Sequence, residues 1–422
     1  TWSSDMPELP LALRMTGTEI MLQRYDNDDF TRVVSVSVQL RSDGNSLAAS
    51  WLLPDEGRGF VHLYKLEFDD NGVMVWDMAA SYGTGEGYPE AVESFGQPAL
   101  ISDISHTILV GSKNNNDNDN TNNQTTTTTT QFLYVTDNVF SLRFGTNTWP
   151  HDRCEFWWSN EGNVLAVVGT SEQRRDNKDN ITAFLVTMHM VREDLNLFQM
   201  GEAIVLMVDN NGQPEEELPK LDLTDDGSMV IVGTRHNVYT YEWEEASEDW
   251  YEVGGGDAFF FAPQDGAVEF TDVAISGDGT IVAIAETSNL PVQTYEIKGG
   301  FWKPLGNAMA CNTRDHYSDN DAPLPPTSVQ VQLDGKGAVA VVASELGEDG
   351  IFLCVHGFDK DNKEWVQMAE PGQNSVYDNG GFGTAFSLAR RAGRLAVSSP
   401  NFDDGSDNGA IYIYDLDALQ QS

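Results

Sequence analysis

The residues that could do chemistry in this chain are mostly carboxylates. Asp403, Asp404 and Asp407 sit close together in the loop NFDDGSDNG, and Asp359, Asp361 and Glu364 share the stretch DKDNKE. Carboxylates at alternating loop positions converge on a hard cation through oxygen ligands, although the same residues also make solvated turns. The histidines, His62, His106, His151, His189, His236, His316 and His356, are scattered, with no HExxH and no close pair. A catalytic zinc site therefore has no support in the sequence. There is no GxSxG elbow and no P-loop. Cys154, in RCEFWW, reads as a packed strand residue rather than a nucleophile. Cys311 and Cys354 either form a single bridge or stay reduced, since three cysteines are too few for a disulfide framework. Carboxylates are so abundant that any acid/base pair chosen from sequence would be selection from noise.

The charge explains that abundance. The 422 residues carry 24 Lys and Arg against 66 Asp and Glu, a formal net charge of −42. Such a field repels nucleic acid and anionic membrane surfaces, and it suits divalent cations or basic partners. Acidic clusters at Glu215–Glu217, at Glu244 and Glu245, and at Asp319 and Asp321 read as a solvated rim or as a docking surface for a basic partner. No apolar run approaches the roughly 18 residues that would span a bilayer. The chain begins at Thr1 rather than Met, and the expectation is either a removed signal or transit segment or numbering that starts inside a longer precursor. Asn123 and Asn180 head glycosylation sequons, which favour secretion weakly.

The elements that would position these residues repeat. A polar turn, usually with Gly, followed by a short apolar strand occurs seven times: at Leu47, Ile108, Leu165, Val230, Val282, Ala340 and Leu395, about 52 to 65 residues apart. After each comes an aromatic-rich strand, such as FVHLYKL, VYTYEW or AIYIYD, and then in several units a strand with Trp. A run before each turn supplies the remaining strand. Seven units of four short antiparallel strands predict an all-β, seven-bladed β-propeller, because stacking such sheets radially buries both faces of each and protects the edges. The units span approximately 30–80, 95–145, 153–206, 219–254, 269–306, 327–369 and 382–416, in one domain over 1–422. The last unit stops after its third strand, so residues 1–12 near Trp2 are expected to supply the fourth and close the ring. His62, His236 and His356 fall in or beside third strands, which points to blade packing.

The seventh unit, GFGTAFSLARRAGRLAVSSPNFDDGSDNGAIYIYD, resembles the FG-GAP repeats of integrin α-chain-type propellers. Phe382-Gly383 stands where that repeat has its FG, Ser399-Pro400 stands in its GAP region, and Gly409 to Tyr414 is similar to its closing strand. Phe95-Gly96 gives the second unit a partial match. The fifth unit, FTDVAISGDGTIVAIAE with FWKPLG, is similar to Trp- and DG-containing propeller repeats of secreted and surface proteins from marine algae and bacteria. The resemblance implies Ca²⁺ in DxDxDG loops. Here the nearest loop is that of Asp403, Asp404 and Asp407, which lacks the full ligand set.

Two features suggest contacts with other molecules. The low-complexity segment 114–130 is an insertion between the second and third strands of the second unit, and its Thr run could extend the strand that follows. Phe259, Phe260 and Phe261 follow three glycines; they plug the core or form an adhesive patch. Asn123, Thr125 and Thr130, with the three phenylalanines, are thus candidate interface residues. The expected function is a non-catalytic binding or assembly module, extracellular or at the cell surface, engaging a protein partner or copies of itself through rim loops. An organelle lumen or another intracellular compartment is the alternative location. The alternative functions are a propeller hydrolase or lyase with a metal in the central channel, or a lectin.

Overall fold

In the computed structural model, the described residues are 14–15, 20–22, 35–53, 58–83, 99–101, 107–114, 127–136, 139–149, 154–174, 180–192, 197–208, 218–235, 237–254, 270–287, 292–311, 326–345, 350–369, 382–399 and 409–416. Their strands form seven antiparallel sheets, six of four strands and one of five. Blade 1 is β3 (Ser35–Leu40), β4 (Ser46–Leu53), β5 (Arg58–Phe68) and β6 (Met74–Gly83). Blade 2 is β7 (Ala99–Ile101), β8 (Thr107–Asn114), β9 (Thr127–Thr136) and β10 (Val139–Trp149). Blade 3 is β11 (Cys154–Trp158), β12 (Val164–Arg174), β13 (Asn180–Val191) and β14 (Leu197–Val208). Blade 4 is β15 (Lys220–Leu223), β16 (Met229–Gly233), β17 (Val238–Glu244) and β18 (Asp249–Val253). Blade 5 is β19 (Phe270–Ile275), β20 (Ile281–Glu286), β21 (Val292–Lys298) and β22 (Phe301–Pro304). Blade 6 is β23 (Ser328–Leu333), β24 (Val339–Glu345), β25 (Ile351–Asp359) and β26 (Glu364–Ala369). Blade 7 is β27 (Phe386–Ala389), β28 (Arg394–Ser399) and β29 (Gly409–Asp415), with β1 (Arg14–Met15) and β2 (Ile20–Leu22) on its outer edge.

The first strand of each blade touches the first strand of the next, and β27 touches β3, so the sheets close into the ring of a β-propeller. The N-terminal part of the chain completes the last blade. Arg14 pairs with Asp415, Met15 with Tyr414, and Ile20 with Ile411. The described closing strands are therefore Arg14–Met15 and Ile20–Leu22, further along than the 1–12 expected from sequence, and residues 1–12, with Trp2, lie outside the described residues. The reason is visible in burial: Ile20 enters the core between blades 7 and 1, beside Ile411, Ile413 and Trp51. A buried aliphatic residue there adds about 1.5–3 kcal/mol.

The repeated turn between the first two strands follows from its residue types. Ser159, Thr224, Ser276 and Asp334 each accept the backbone amide five residues on, at 3.0 ± 0.1 Å. Gly three residues on closes the turn with a positive φ, as at Gly227 (φ +72°), where a Cβ would stand 2.5 Å from Val164 of the preceding blade. Gly thus allows both the left-handed backbone and the close approach of two blades.

Outer strands are tied by tryptophan. Trp302 of blade 5 donates from Nε1 to Thr240 Oγ1 of blade 4 at 2.9 Å, and Thr240 donates onward to the Val253 carbonyl at 2.7 Å. Trp365 of blade 6 repeats this on Thr294 and the Leu305 carbonyl, both at 2.7 Å. Trp250 of blade 4 donates to the Met200 carbonyl of blade 3 at 3.0 Å. Each of these three indole N–H groups thereby has its partner in the neighbouring blade. Cys311 and Cys354 form a disulfide with Cα atoms 5.6 Å apart. It joins the segment that leaves blade 5 to the third strand of blade 6.

Candidate functional site

The turns after the first strands meet around one mouth of the central channel. A chain of backbone hydrogen bonds runs from blade to blade there. Glu161 N–H donates to the Asp225 carbonyl, Asp225 to Gly277, Asp278 to Gly335, Gly335 to Arg390, and Arg391 to Ser42, at 2.9–3.2 Å. Gly277 permits this approach, since a Cβ at that position would lie 2.4 Å from the Asp225 carboxylate.

A second tier lies along the inner strands. Asp222 accepts the Ile275 amide at 2.9 Å, Asp272 accepts Val331 at 2.9 Å, Gln332 accepts Leu388 at 2.7 Å, and Ser387 accepts Leu40 at 2.9 Å. Four polar side chains thus stitch blades 4, 5, 6, 7 and 1 in sequence. Each satisfies an inner-strand amide that would otherwise lack a partner.

Arg390 crosses the mouth. It leaves blade 7 and reaches blade 4 on the far side of the ring. There its Nη2 contacts both Asp222 oxygens at 2.6 and 2.5 Å, and its Nη1 donates to the Leu223 carbonyl at 2.7 Å. The guanidinium side chain is only 11% exposed. Arg391 lies further out, holding Glu161 at 2.7 Å with Asp225 at 3.6 Å. Burial raises the Asp222 carboxyl above the usual carboxylate range, against the pull of Arg390 and of the Ile275 and Leu223 amides. Asp272 has no such cation in contact, and burial pushes it up to about 7 despite the Val331 and Val273 amides. Burial likewise raises Asp334. Every carboxylate on this inner face has amides or a guanidinium to hold.

Next to the crossing arginine, a cavity of about 310 Å³ opens between blades 6 and 7. Its lining combines Val339, Leu388 and Leu416 with the charged groups of Asp225, Asp334, Lys336, Arg390 and Arg391.

The outer rim differs in character. The outermost strands of blades 1, 3, 4, 5 and 6 present large apolar groups to solvent: Met78 on β6, Phe198 and Val205 on β14, Tyr251 on β18, Phe301 on β22 and Val366 on β26. Exposed acids stand beside them at Asp77, Glu202, Glu252 and Glu364. In β18, β22 and β26 the exposed apolar residue is the immediate neighbour of the buried Trp, so the period of two turns it outward. Phe198 also lies under the Arg192 guanidinium, 3.6 Å from its ring centre.

The structure corrects one predicted cation site. Asp359 turns its carboxylate onto the Asp361 and Asn362 amides at 2.8 and 3.1 Å and onto the Asn362 side chain at 2.7 Å. With Asp361 and Glu364 it makes the hairpin between β25 and β26, not a ligand set. Among the described residues no group of three His, Cys, Asp or Glu side chains is placed to hold a metal. Asp403, Asp404 and Asp407 lie outside the described residues, as do Phe259, Phe260, Phe261, Asn123 and Thr125. Thr130 lies inside β9, paired with Gly111 and Asn147, so the Thr run does extend that strand. Asn180 opens β13 opposite Arg174.

Three histidines sit on third strands: His62 on β5, His189 on β13 and His356 on β25. All are buried, and burial lowers each to about 4. His62 stands edge-on to Trp51 at 4.3 Å and 3.1 Å from the Tyr64 hydroxyl. His236, His106, His151 and His316 lie outside the described residues. Arg390 and Asp222 were missed in the sequence, because ARRAG and KLDLT read only as a turn and a strand. The one available signal was a polar residue on an otherwise apolar inner strand.

No protein-family model and no curated protein matches this sequence. Among solved structures, it is similar to the C-terminal WD40 domain of Sif2, with 11% identity over 95% of this chain and 97% of that one and a TM-score of 0.49. The periplasmic gluconolactonase of Pseudomonas aeruginosa gives 12% identity over 82% and 86% with a TM-score of 0.45. A functionally unknown protein from Desulfotomaculum acetoxidans gives 13% over 80% and 85%, also with a TM-score of 0.45. These likenesses concern the fold alone. No helix among the described residues is long and apolar enough to cross a membrane.

Proposed function

We propose that the protein is a β-propeller recognition module that binds a basic protein partner along its outer rim. The observation that carries this reading is the recurrence of exposed apolar side chains on the outermost strands of blades 3 to 6, with exposed acids on the same strand in blades 3, 4 and 6 and Lys303 in that place on blade 5. Isolated exposed apolar residues are ordinary, but their recurrence at one place on successive repeats makes a band. A chain of net charge −42 attracts basic surfaces and opposes contact between its own copies. The inner-strand polar groups Asp222, Asp272, Gln332 and Ser387, with Arg390, are committed to holding blades together, which favours binding over turnover.

A location outside the cell or at its surface is part of the proposal. The Cys311–Cys354 bridge supports it, because disulfides persist in oxidising compartments. We also read blade 7 as an FG-GAP-type repeat. In support, Phe382 is buried 5.9 Å from the Tyr412 ring, and Gly383, at φ +87°, donates its amide to the Ser398 carbonyl at 2.9 Å.

The test is a titration with a synthetic peptide alternating Lys and Leu, against the same peptide with Glu for Lys. The basic peptide is expected to bind the wild-type chain and to lose affinity as salt rises. Equal binding of both peptides, or binding indifferent to salt, contradicts the reading.

A further inference from the structure

We propose that the cavity between blades 6 and 7 is a binding site for a small molecule that joins a carboxylate to an aliphatic body. The floor of the cavity is apolar and comes from three separate elements: Val339 on β24, Leu388 on β27, and Leu416 just after β29, each at most 5% exposed. A floor of this kind accepts a branched hydrocarbon of a few carbons, and each CH₂ buried there contributes about 0.8 kcal/mol. The volume of about 310 Å³ is at the lower end for small-molecule pockets and equals roughly ten waters.

The charged groups at the opening are not equivalent. Asp334 spends its carboxylate on the Ala338 and Val339 amides at 2.6 and 3.0 Å. Asp225 accepts the Asn160 side chain at 2.9 Å and lies near both arginines. Arg390 is held across the channel by Asp222. Arg391 is held by Glu161. The exposed Lys336 ammonium is different: it makes no hydrogen bond or ion pair with any described residue. The cavity thus pairs an apolar floor with a single uncommitted cation at its lip. Gly335 and Gly393 also line it and add no side chain to block entry.

This arrangement selects a monoanion with an apolar tail. Inorganic phosphate would leave the floor unfilled, and a neutral aliphatic amide would leave Lys336 without a partner. Ligand pockets commonly combine apolar side chains with a few polar groups that fix orientation, and both kinds line this cavity. The site is on the turn face, away from the outer rim, so its occupancy and the rim's recognition are separate properties.

The experiment is calorimetric titration of the full chain with 4-methylpentanoate, 4-methylpentanamide and acetate, for the wild type and for Lys336→Gln. Lys336 is exposed on a turn, and an unchanged melting temperature will show that the variant folds. The carboxylate is expected to bind the wild type at least tenfold more tightly than either the amide or acetate, and Lys336→Gln to weaken it at least fivefold. The proposal is overturned if 4-methylpentanoate gives no binding, if the amide binds as well, or if Lys336→Gln binds it unchanged.

Discussion

Replacing Arg390 by Met tests whether the channel mouth is a structural lock. The substitution keeps the aliphatic stem and removes the guanidinium. Asp222 then loses both contacts at 2.5–2.6 Å, and the Leu223 carbonyl loses its donor at 2.7 Å. Breaking one partner of a buried pair strands the other charge and costs about 3–5 kcal/mol. For a 422-residue chain the unfolding entropy is about 0.9 kcal/mol per kelvin, so a loss of about 4 kcal/mol lowers the melting temperature by about 4–5 °C. Asp222→Asn removes the stranded charge while keeping an acceptor for the Ile275 or Leu223 amide. Arg390→Met combined with Asp222→Asn is therefore expected to recover at least about 2 kcal/mol relative to the sum of the single changes. Thermal unfolding gives the melting temperatures, and urea unfolding at neutral pH, with fluorescence and circular dichroism followed together, gives the free energies for all four proteins. A drop below about 1 °C for Arg390→Met, or strict additivity in the cycle, refutes the lock.

Other expectations follow from the same geometry. Trp302→Phe removes the indole donor to Thr240 and should cost about 1–2 kcal/mol, read as a lower urea midpoint with unchanged slope. Changing Cys311 and Cys354 to Ser opens a loop of 43 residues and should cost about 4 kcal/mol in the chain-entropy account; a melting temperature within about 1 °C of wild type would contradict that. Asp272, pushed up to about 7, contributes stability that is present below its unfolded value near 4 and is lost as pH rises through 7. Asp272→Asn should therefore gain on the wild type by up to about 4 kcal/mol between pH 4 and 8; parallel stability curves would refute this. His62, lowered to about 4, works in the opposite sense: its stability is present above 6.5 and lost as pH falls toward 4. A His62→Gln protein should accordingly lose less stability than wild type on acidification over that window.

Much of the fold could be read from the sequence because the repeat carries its own chemistry. Ser159, Thr224, Ser276 and Asp334 announce a turn, Gly closes it, and an alternating strand follows. Those are local signals. The pairs that organise the mouth are not local: Arg390 and Asp222 are 168 residues apart, and only ring closure brings them together. The closing strand lies later than Trp2 suggests, because Ile20-Met21-Leu22 is a short apolar run with no alternation to mark it as a strand. From sequence the Asp359 loop reads equally as a cation site or as a solvated turn, because alternate carboxylates look alike whether they face an ion or their own amides. Here the Asp361 and Asn362 amides lie within hydrogen-bond reach. The outer band was invisible for a related reason. Tyr251, Phe301 and Val366 look like core residues until the neighbouring Trp is known to take the inward position.

The most direct test of rim recognition compares two variants for binding the alternating Lys-Leu peptide. One carries Ser at Phe198, Tyr251, Phe301 and Val366; the other is Lys336→Gln at the channel mouth. The account predicts that the fourfold rim variant folds as the wild type does and binds the peptide at least tenfold more weakly, while Lys336→Gln binds it as the wild type does. Unchanged affinity in the rim variant, or a loss confined to the mouth variant, would contradict it.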